Sequence, residues 1–356
     1  MSLAIKVLIV DDSALVRSLL SEIIRTAPGF VLVGAAPDAY VARDMVKTFS
    51  PDVITLDIEM PRMDGLSFLE KLMTARPTPV VMISTLTEAG ADATLRALEL
   101  GAVDFIPKPK LGITEGIREY SELILEKLAA ASKVKIRALN SVSRHIESSG
   151  EKIPREHLQS TEKIIAIGAS TGGTEAIKDV LMQLPADAPG IVMTQHMPPG
   201  FTRTFAERLN KLTKLHVTEA KGGERILPGH AYLAPGGFHL LVTRSGADYV
   251  LKLSESAPVH LHRPAVDVMM ESVAVAGGKN VIGVLLTGMG KDGGKGMLDI
   301  HNRGGYTIAQ DEQSCVVYGM PKEAVNLGAV DEVADLHNIG TVILKKLKEM
   351  GAGNRL

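Results

Sequence analysis

The sequence predicts an α/β protein built as two successive doubly wound parallel sheets, an N-terminal (βα)5 unit and a second unit carrying a β-hairpin insertion. Three observations lead there. Short apolar runs alternate with amphipathic segments through roughly the first 110 residues, the same alternation resumes at 162, and a polar stretch without sustained period lies between. A chain of 356 residues is also longer than one hydrophobic core usually serves.

In the first unit the strand-like runs fall at 6–10, 30–34, 53–56, 80–83 and 104–106. Between the first two, SALVRSLLSEIIRTA (13–27) repeats its apolar residues at spacings of three and four, which places them on one helical face. Strands that alternate with helices pair in parallel, because each crossover returns the chain in the same direction. EGIREYSELILEKLAAA (115–131) closes the unit as an amphipathic helix, giving a first domain of 1–131. Residues 132–161 are serine-rich, polar and mildly basic, and read as a solvated linker. The second domain runs from 162 to 349, with 350–356 as a tail. Its strand-like runs include 164–168, 191–195, 231–234, 239–243, 249–253 and 281–287. The stretch 230–253, with its Pro-Gly-Gly and Ser-Gly-Ala turns, reads as hairpins set into the α/β layer.

Composition narrows the function. With 45% hydrophobic and 22% charged residues both units should be globular, and a net charge of −2 points to neither nucleic acid nor an anionic membrane. The lone cysteine, Cys315, excludes an internal disulfide and suits a reducing compartment. No run approaches the ~18 apolar residues of a membrane span, and MSLAIKVLIVDD is too short an apolar run for a signal peptide. We expect a soluble cytoplasmic protein without membrane insertion.

Ligands of parallel sheets sit outside the carboxyl ends of the strands. In the first unit those ends carry Asp11 and Asp12, then Asp57, Ser84 and Lys108. Clustered carboxylates repel one another unless a cation sits among them, and hard oxygen ligands with room for water suit Mg²⁺ and phosphate chemistry. Lys108 would neutralise an added phosphate and the Ser84 hydroxyl would donate to it. The motifs VLIVDDSALVR, DVITLDIEMPRMDG and FIPKP resemble those of a two-component receiver domain. The resemblance implies Asp57 as phospho-acceptor, fed by a phosphohistidine on a sensor kinase. It implies Asp11 and Asp12 beside Asp57 around Mg²⁺, Ser84 as switch hydroxyl and Lys108 as phosphate-binding lysine. Phe105 takes the aromatic switch position, without the hydroxyl of a tyrosine.

The second unit opens on GASTGGTE (168–175), a glycine-rich turn between a strand and a helical segment. Such a turn can hold an anion at the helix N-terminus, yet Gly168-Ala169-Ser170-Thr171-Gly172 also spells the nucleophile-elbow pattern. The lysine of a phosphate loop is absent, and Ser170 stands where a dinucleotide fingerprint needs glycine. A serine nucleophile requires a base and an orienting acid. His196 follows the apolar run of GIVMTQHMPPGF, and Asp292 follows that of VIGVLLTGMGKDGG. Each of the three taken alone has an ordinary structural explanation; together, at the ends of three strands, they favour catalysis. Cys315 lacks a glycine turn or adjacent histidine and reads as packing, while His260 and His262 in HLHRP suit the substrate cleft or structure.

IGASTGGTEAI, MTQHMPPGFT, YLAPGGFHL, HRPAVDVMMESVA, LLTGMGKDGGKGM and VVYGMPKEA resemble, in order, the effector domain of the chemotaxis protein-glutamate methylesterases. The resemblance implies Ser170 as nucleophile, His196 as general base, Asp292 as its orienting acid, and Thr171 with the Met289 backbone near the oxyanion. It further implies methyl-accepting chemoreceptors as substrate, a chemotaxis histidine kinase as phosphodonor and an accompanying glutamine deamidase activity. Ester hydrolysis itself calls for no cofactor. The order receiver, linker, hydrolase suggests an unphosphorylated receiver packed over the cleft. The competing reading is a non-catalytic signalling adaptor; a DNA-binding regulator would need a basic helix-turn-helix, which this sequence does not show.

Overall fold

The computed structural model describes residues 4–85, 87–108, 117–134 and 163–352. The first unit runs β1 (Ile5–Val10), α1 (Ala14–Thr26), β2 (Phe30–Ala36), α2 (Ala39–Phe49), β3 (Val53–Asp57), α3 (Gly65–Ala75), β4 (Val80–Ser84), α4 (Glu88–Glu99), β5 (Asp104–Pro107) and α5 (Ile117–Ala131). Its five strands lie in the order β2-β1-β3-β4-β5, all parallel. The order reverses between β1 and β3, so the crevice for a ligand opens where Asp11 and Asp57 stand. The core strands are apolar on both faces because helices cover both, which explains their uninterrupted hydrophobic runs.

The second unit runs β6 (Ile164–Ala169), α6 (Gly173–Gln183), β7 (Gly190–Gln195), α7 (Phe201–Leu212), β8 (His216–Glu219), β9 (His230–Leu233), β10 (His239–Ser245), β11 (Asp248–Ser254), α8 (Val266–Gly277), β12 (Val281–Leu285), α9 (Gly294–Asn302), β13 (Tyr306–Gln310), α10 (Met320–Asn326), β14 (Glu332–Ala334) and α11 (Leu336–Ala352). Seven strands form one parallel sheet, β14-β13-β12-β6-β7-β9-β8, and β10 and β11 pair as a separate antiparallel ribbon. The sequence places the whole of 230–253 in hairpins, but β9 enters the main sheet between β7 and β8. Its run His-Ala-Tyr-Leu is buried along nearly its whole length, as a strand covered on both faces must be. Strands β8, β13 and β14 were not anticipated. The expected linker lies almost entirely outside the described residues, and α11 continues past the expected boundary at 349 to Ala352. Among the described residues no helix is long and apolar enough to cross a membrane.

Helix starts differ between the two units. In the first, Ser13, Asp38, Asp64 and Thr87 cap α1 to α4 with their own side chains. In the second, Gly172, Gly200, Ala265 and Gly293 precede α6, α7, α8 and α9 and supply no side-chain cap. The first N–H groups of these helices are therefore open to partners from elsewhere in the fold. An apolar cluster runs from Leu8, Leu56 and Phe105 of the first unit into Ile177, Phe201 and Phe205 of the second. At its centre Phe105 stacks on Phe201 with ring centroids 4.6 Å apart, and Arg208 of α7 pairs with Glu99 of α4 beside it.

Candidate functional site

The acidic edge of the first sheet gathers Asp11, Asp12 and Asp57, whose carboxylate oxygens lie within 4.8 Å of one another. Asp11 and Asp57 are buried and Asp12 is exposed. Lys108 Nζ donates to Asp57 Oδ2 at 2.7 Å and stands 3.9 Å from Asp11 Oδ2. Burial, with the charge of Asp11, pushes the Asp57 carboxyl up to about 6 against the pull of Lys108, and burial likewise raises Asp11. Asp11 Oδ2 is buried without a hydrogen-bond partner, as a carboxylate oxygen would be if its partner were a cation. Three oxygens around one point, one unsatisfied, fit a hard divalent ion. Ser84 ends β4 and lines the same cleft as Asp57, but its hydroxyl donates to Gly90 O at 3.1 Å and accepts from Thr94.

The second site lies at the reversal point of the seven-stranded sheet, where β6 and β12 are neighbours whose connections leave in opposite directions. Ser170 follows β6, His196 follows β7, and Asp292 lies in the loop after β12. His196 Nδ1 is 3.0 Å from Ser170 Oγ, and His196 Nε2 is 2.7 Å from Asp292 Oδ2. With Asp292 ionised, Nε2 carries the ring proton and Nδ1 offers its lone pair to the serine. That is the reverse of the ring orientation in the serine-protease template. All three side chains are buried.

Asp292 is held by a helix it does not belong to. Its Oδ2 accepts from Val266 N–H at 2.6 Å and its Oδ1 from Asp267 N–H at 2.8 Å, filling the uncapped start of α8. Burial works against its charge, but the His196 hydrogen bond and charge and these two amides outweigh it, holding the carboxyl below the usual range. Asp267 in turn accepts from Gly296 N–H at 2.8 Å at the start of α9, so the two helices clamp each other through exchanged carboxylates.

The nucleophile turn is tied down equally firmly. Ser170 N–H donates to Thr287 O at 3.0 Å, Gln195 Nε2 donates to Ser170 O at 2.9 Å, and Thr287 Oγ1 donates to Thr171 O at 3.0 Å. Gly172 takes φ 76°, a left-handed conformation that glycine adopts freely. At Gly288 an added Cβ would sit 2.8 Å from Ser170 Cβ and 2.2 Å from Met320 Sδ, so only glycine lets the loop after β12 approach the serine.

The remaining expected residues are divided between the site and the contact of the two units. Met289 lines a cleft of about 860 Å³ with Cys315, Tyr318 and Lys133. Cys315 is half-buried there, its thiol pushed up to about 12 by burial. Thr171 is buried and its hydroxyl donates to Asp104 at the start of β5 in the first unit. Asp104 also accepts from Lys127 of α5 at 2.6 Å. Phe105, Pro107, Leu123 and Lys127 of the first unit then wall a cleft of about 150 Å³ against His196, Met197, His262 and Arg263. Sequence reasoning missed Gln195, Thr287, Asp267 and Asp104, whose partners lie far away along the chain. It expected His262 in the substrate cleft or in a structural role, and the structure stacks that ring on His196.

An acceptor-type acidic edge in one sheet and a Ser–His–Asp arrangement in the other define a receiver-regulated serine hydrolase as the class of protein. Family models agree: that of the CheB methylesterase matches residues 165–343, and that of the response regulator receiver domain matches 7–114. A protein-glutamate methylesterase/protein-glutamine glutaminase of Nitrosomonas europaea is 60% identical over 99% of this chain and 98% of its own. One of Pseudomonas aeruginosa is 60% identical over 99% of both chains. The CheB methylesterase catalytic domain of Thermotoga maritima superposes with a TM-score of 0.51 at 40% identity, covering 52% of this chain and 98% of that one. The chain belongs to the CheB methylesterase family.

The raised Asp57 carboxyl has a measurable consequence. A group whose pKa in the fold exceeds its unfolded value of 3.8 stabilises below that value and loses its contribution as pH rises through about 6. In chelator, Asp57→Asn should therefore raise stability to unfolding by about 3 kcal/mol at pH near 8, with the gain shrinking towards pH 4. Thermal melts across that range check it, and a gain independent of pH would contradict the assignment.

Proposed function

We propose that this chain is a phosphorylation-regulated serine hydrolase that removes methyl esters from glutamates of chemoreceptors, releasing methanol, and deamidates glutamines at the same site. One observation carries the reading: a buried serine hydroxyl 3.0 Å from an imidazole whose other nitrogen lies 2.7 Å from a carboxylate. In this reading residues 1–131 are the receiver, 132–161 the linker, 162–349 the catalytic domain and 350–356 a tail, working in the cytoplasm.

Ser170 Oγ attacks the γ-carbonyl carbon of the esterified glutamate while its proton passes to His196 Nδ1. Asp292 stabilises the imidazolium that forms, because its carboxylate already accepts a hydrogen bond from Nε2–H and stays ionised. In this reading the backbone N–H groups around Thr171 and Met289 stabilise the developing oxyanion, a role in which loss of one donor costs about 10²–10³ in rate. His196 gives its proton to the departing methoxide, and methanol leaves an acyl-serine. Water then attacks that ester, its proton going to His196 and from there to Ser170, which frees the glutamate carboxylate. With a glutamine side chain the leaving group is ammonia.

Regulation enters at the other edge. Asp57 accepts a phosphoryl group from the phosphohistidine of a chemotaxis kinase, and Lys108 and Ser84 bind the added phosphate. Asp11, Asp12 and Asp57 would hold Mg²⁺, which when bound would offset the carboxylate and phosphate charge. The unphosphorylated receiver occludes the catalytic cleft. In support, the space beside His196 is about 150 Å³, too confined for a substrate helix of about 10 Å diameter.

Ser170→Ala should abolish methanol release from methylated receptors while phosphorylation of Asp57 persists; retained turnover would sink the catalytic assignment. Asp104→Ala should raise the basal methylesterase rate of the unphosphorylated protein about fivefold, since a hydrogen bond to a charged group contributes about 1 kcal/mol or more. The phosphorylated rate should stay the same. An unchanged basal rate would show that this contact does not hold the closed arrangement.

A further inference from the structure

HLHRP contributes a histidine to the site that the mechanism above does not use. His262 lies face to face with His196, ring centroids 3.7 Å apart and planes inclined by 16°. The chain reaches this position through a tight turn in which Val259 and His262 exchange both backbone hydrogen bonds, at 3.0 and 2.9 Å. Its two central residues, His260 and Leu261, have φ of 51° and 65°. Both carry a Cβ, and consecutive left-handed residues of that kind are disfavoured; hairpin turns of this sort select glycine and asparagine. Leu261 is exposed, so packing of its side chain does not explain the conformation. His260 Nε2, by contrast, lies 3.2 Å from Asp267 Oδ2, the carboxylate that joins α8 to α9. The turn is thus anchored at its apex to the element that also holds Asp292. Strained backbone that persists beside a reactive group is a sign that its placement matters.

We propose that His262 is a positioning residue for the hydrolysis: its ring, delivered by the 259–262 turn, holds the His196 imidazole with Nδ1 towards Ser170 and Nε2 towards Asp292. The inference rests on the catalytic reading above. His196 has hydrogen bonds in its ring plane on two sides only, so rotation about its Cβ–Cγ bond would break both at once, and a flat wall against one face opposes that rotation. Among the described residues, the charged or titratable groups that act on His262 are His196 from the end of β7, Lys127 from α5, Asp292 from the loop after β12, and His260 from its own turn. Burial above all, then the proximity of His196 and Lys127, pushes the His262 imidazole down to about 2, with Asp292 pulling the other way. A ring whose pKa is held this low is a poor competitor for the proton that leaves Ser170. Its neutral face also suits the cation formed on His196, in the manner of a cation over an aromatic ring.

The test uses the full-length phosphorylated protein and methanol release from methylated receptors. His262→Ala should lower kcat about tenfold with KM nearly unchanged, because a displaced base slows the chemistry and leaves binding intact. His262→Phe, which keeps a flat ring of similar size, should stay within about threefold of the parent. The far-downfield proton resonance of His196 Nε2–H should be sharp in the parent and in His262→Phe, and broadened or lost in His262→Ala. Parent-like kinetics in His262→Ala would overturn the proposal. So would a His262→Phe enzyme that folds, as judged by its thermal melt, yet has a kcat reduced tenfold, since the ring nitrogens and not the face would then matter. If His262→Ala does not fold, the phenylalanine enzyme and its resonance decide alone. Failure of the catalytic reading shows up separately, as turnover surviving in Ser170→Ala.

Discussion

The carboxylate of Asp292 is the constraint on which the second unit depends. It answers two demands with one charge: the uncapped N–H groups of Val266 and Asp267 need an acceptor, and His196 needs a fixed anion. Neither alone would keep a carboxylate ionised in a buried place. Together they offset the loss of water, because two amides at a helix start and one imidazole N–H supply the hydrogen bonds that water would have made. Asp267 repeats the device in the opposite sense on α9. The orientation of the imidazole is therefore tied to the packing of α8 against α9 through the loop that carries Asp292.

A second dependence runs through β5. Within that strand and the residue after it stand Asp104, bonded to Thr171, Phe105, stacked on Phe201, and Lys108, paired with Asp57. Backbone bonds join Lys108 to β4 as well, its N–H donating to Ser84 O at 2.7 Å. A phosphoryl group on Asp57 would compete for Lys108 at one end of a rigid extended segment, four residues from the contact beside the proposed nucleophile. Because a strand does not stretch, a change at one end is transmitted to the other as a shift of the whole segment. Phe105 needs no hydroxyl for this, since its ring is held by stacking.

Much of this was legible in the sequence, and the exceptions have physical causes. The five strands of the first unit are read correctly because parallel strands covered on both faces must be continuously apolar. Two of the unanticipated strands lack that signal: β8, His-Val-Thr-Glu, is an edge strand with polar alternate positions, and β14 has three residues; in β13, Tyr-Thr-Ile-Ala-Gln, threonine and glutamine interrupt the apolar run although the strand is interior. The proximity of Ser170, His196 and Asp292 was readable because each follows an apolar run, and strand ends in one parallel sheet share an edge. The partners that hold them were not readable. Gln195 meets the backbone of Ser170, and Asp104 meets Thr171, through folding that brings together segments with no shared motif. His262 lay in view and was read with His260 as a cleft or structural residue, but nothing in HLHRP shows that the turn points the two rings at different partners.

The two acidic sites also show one residue type driven in opposite directions by its surroundings. Asp57 and Asp11 are buried beside each other with one lysine between them, and the lone oxygen of Asp11 has no donor, so both carboxyls are raised. Asp292 is buried as deeply but fully bonded, and is lowered. A site whose charge is uncompensated in the resting fold gains most from a ligand that compensates it, which suits an edge that must respond to a cation and a phosphoryl group. A site already compensated gains nothing from such ligands and holds its charge constant, which suits the orienting role proposed for Asp292. The division of labour between the two sheets is thus written in where each aspartate finds its hydrogen bonds: the first leaves a demand open, and the second has closed it.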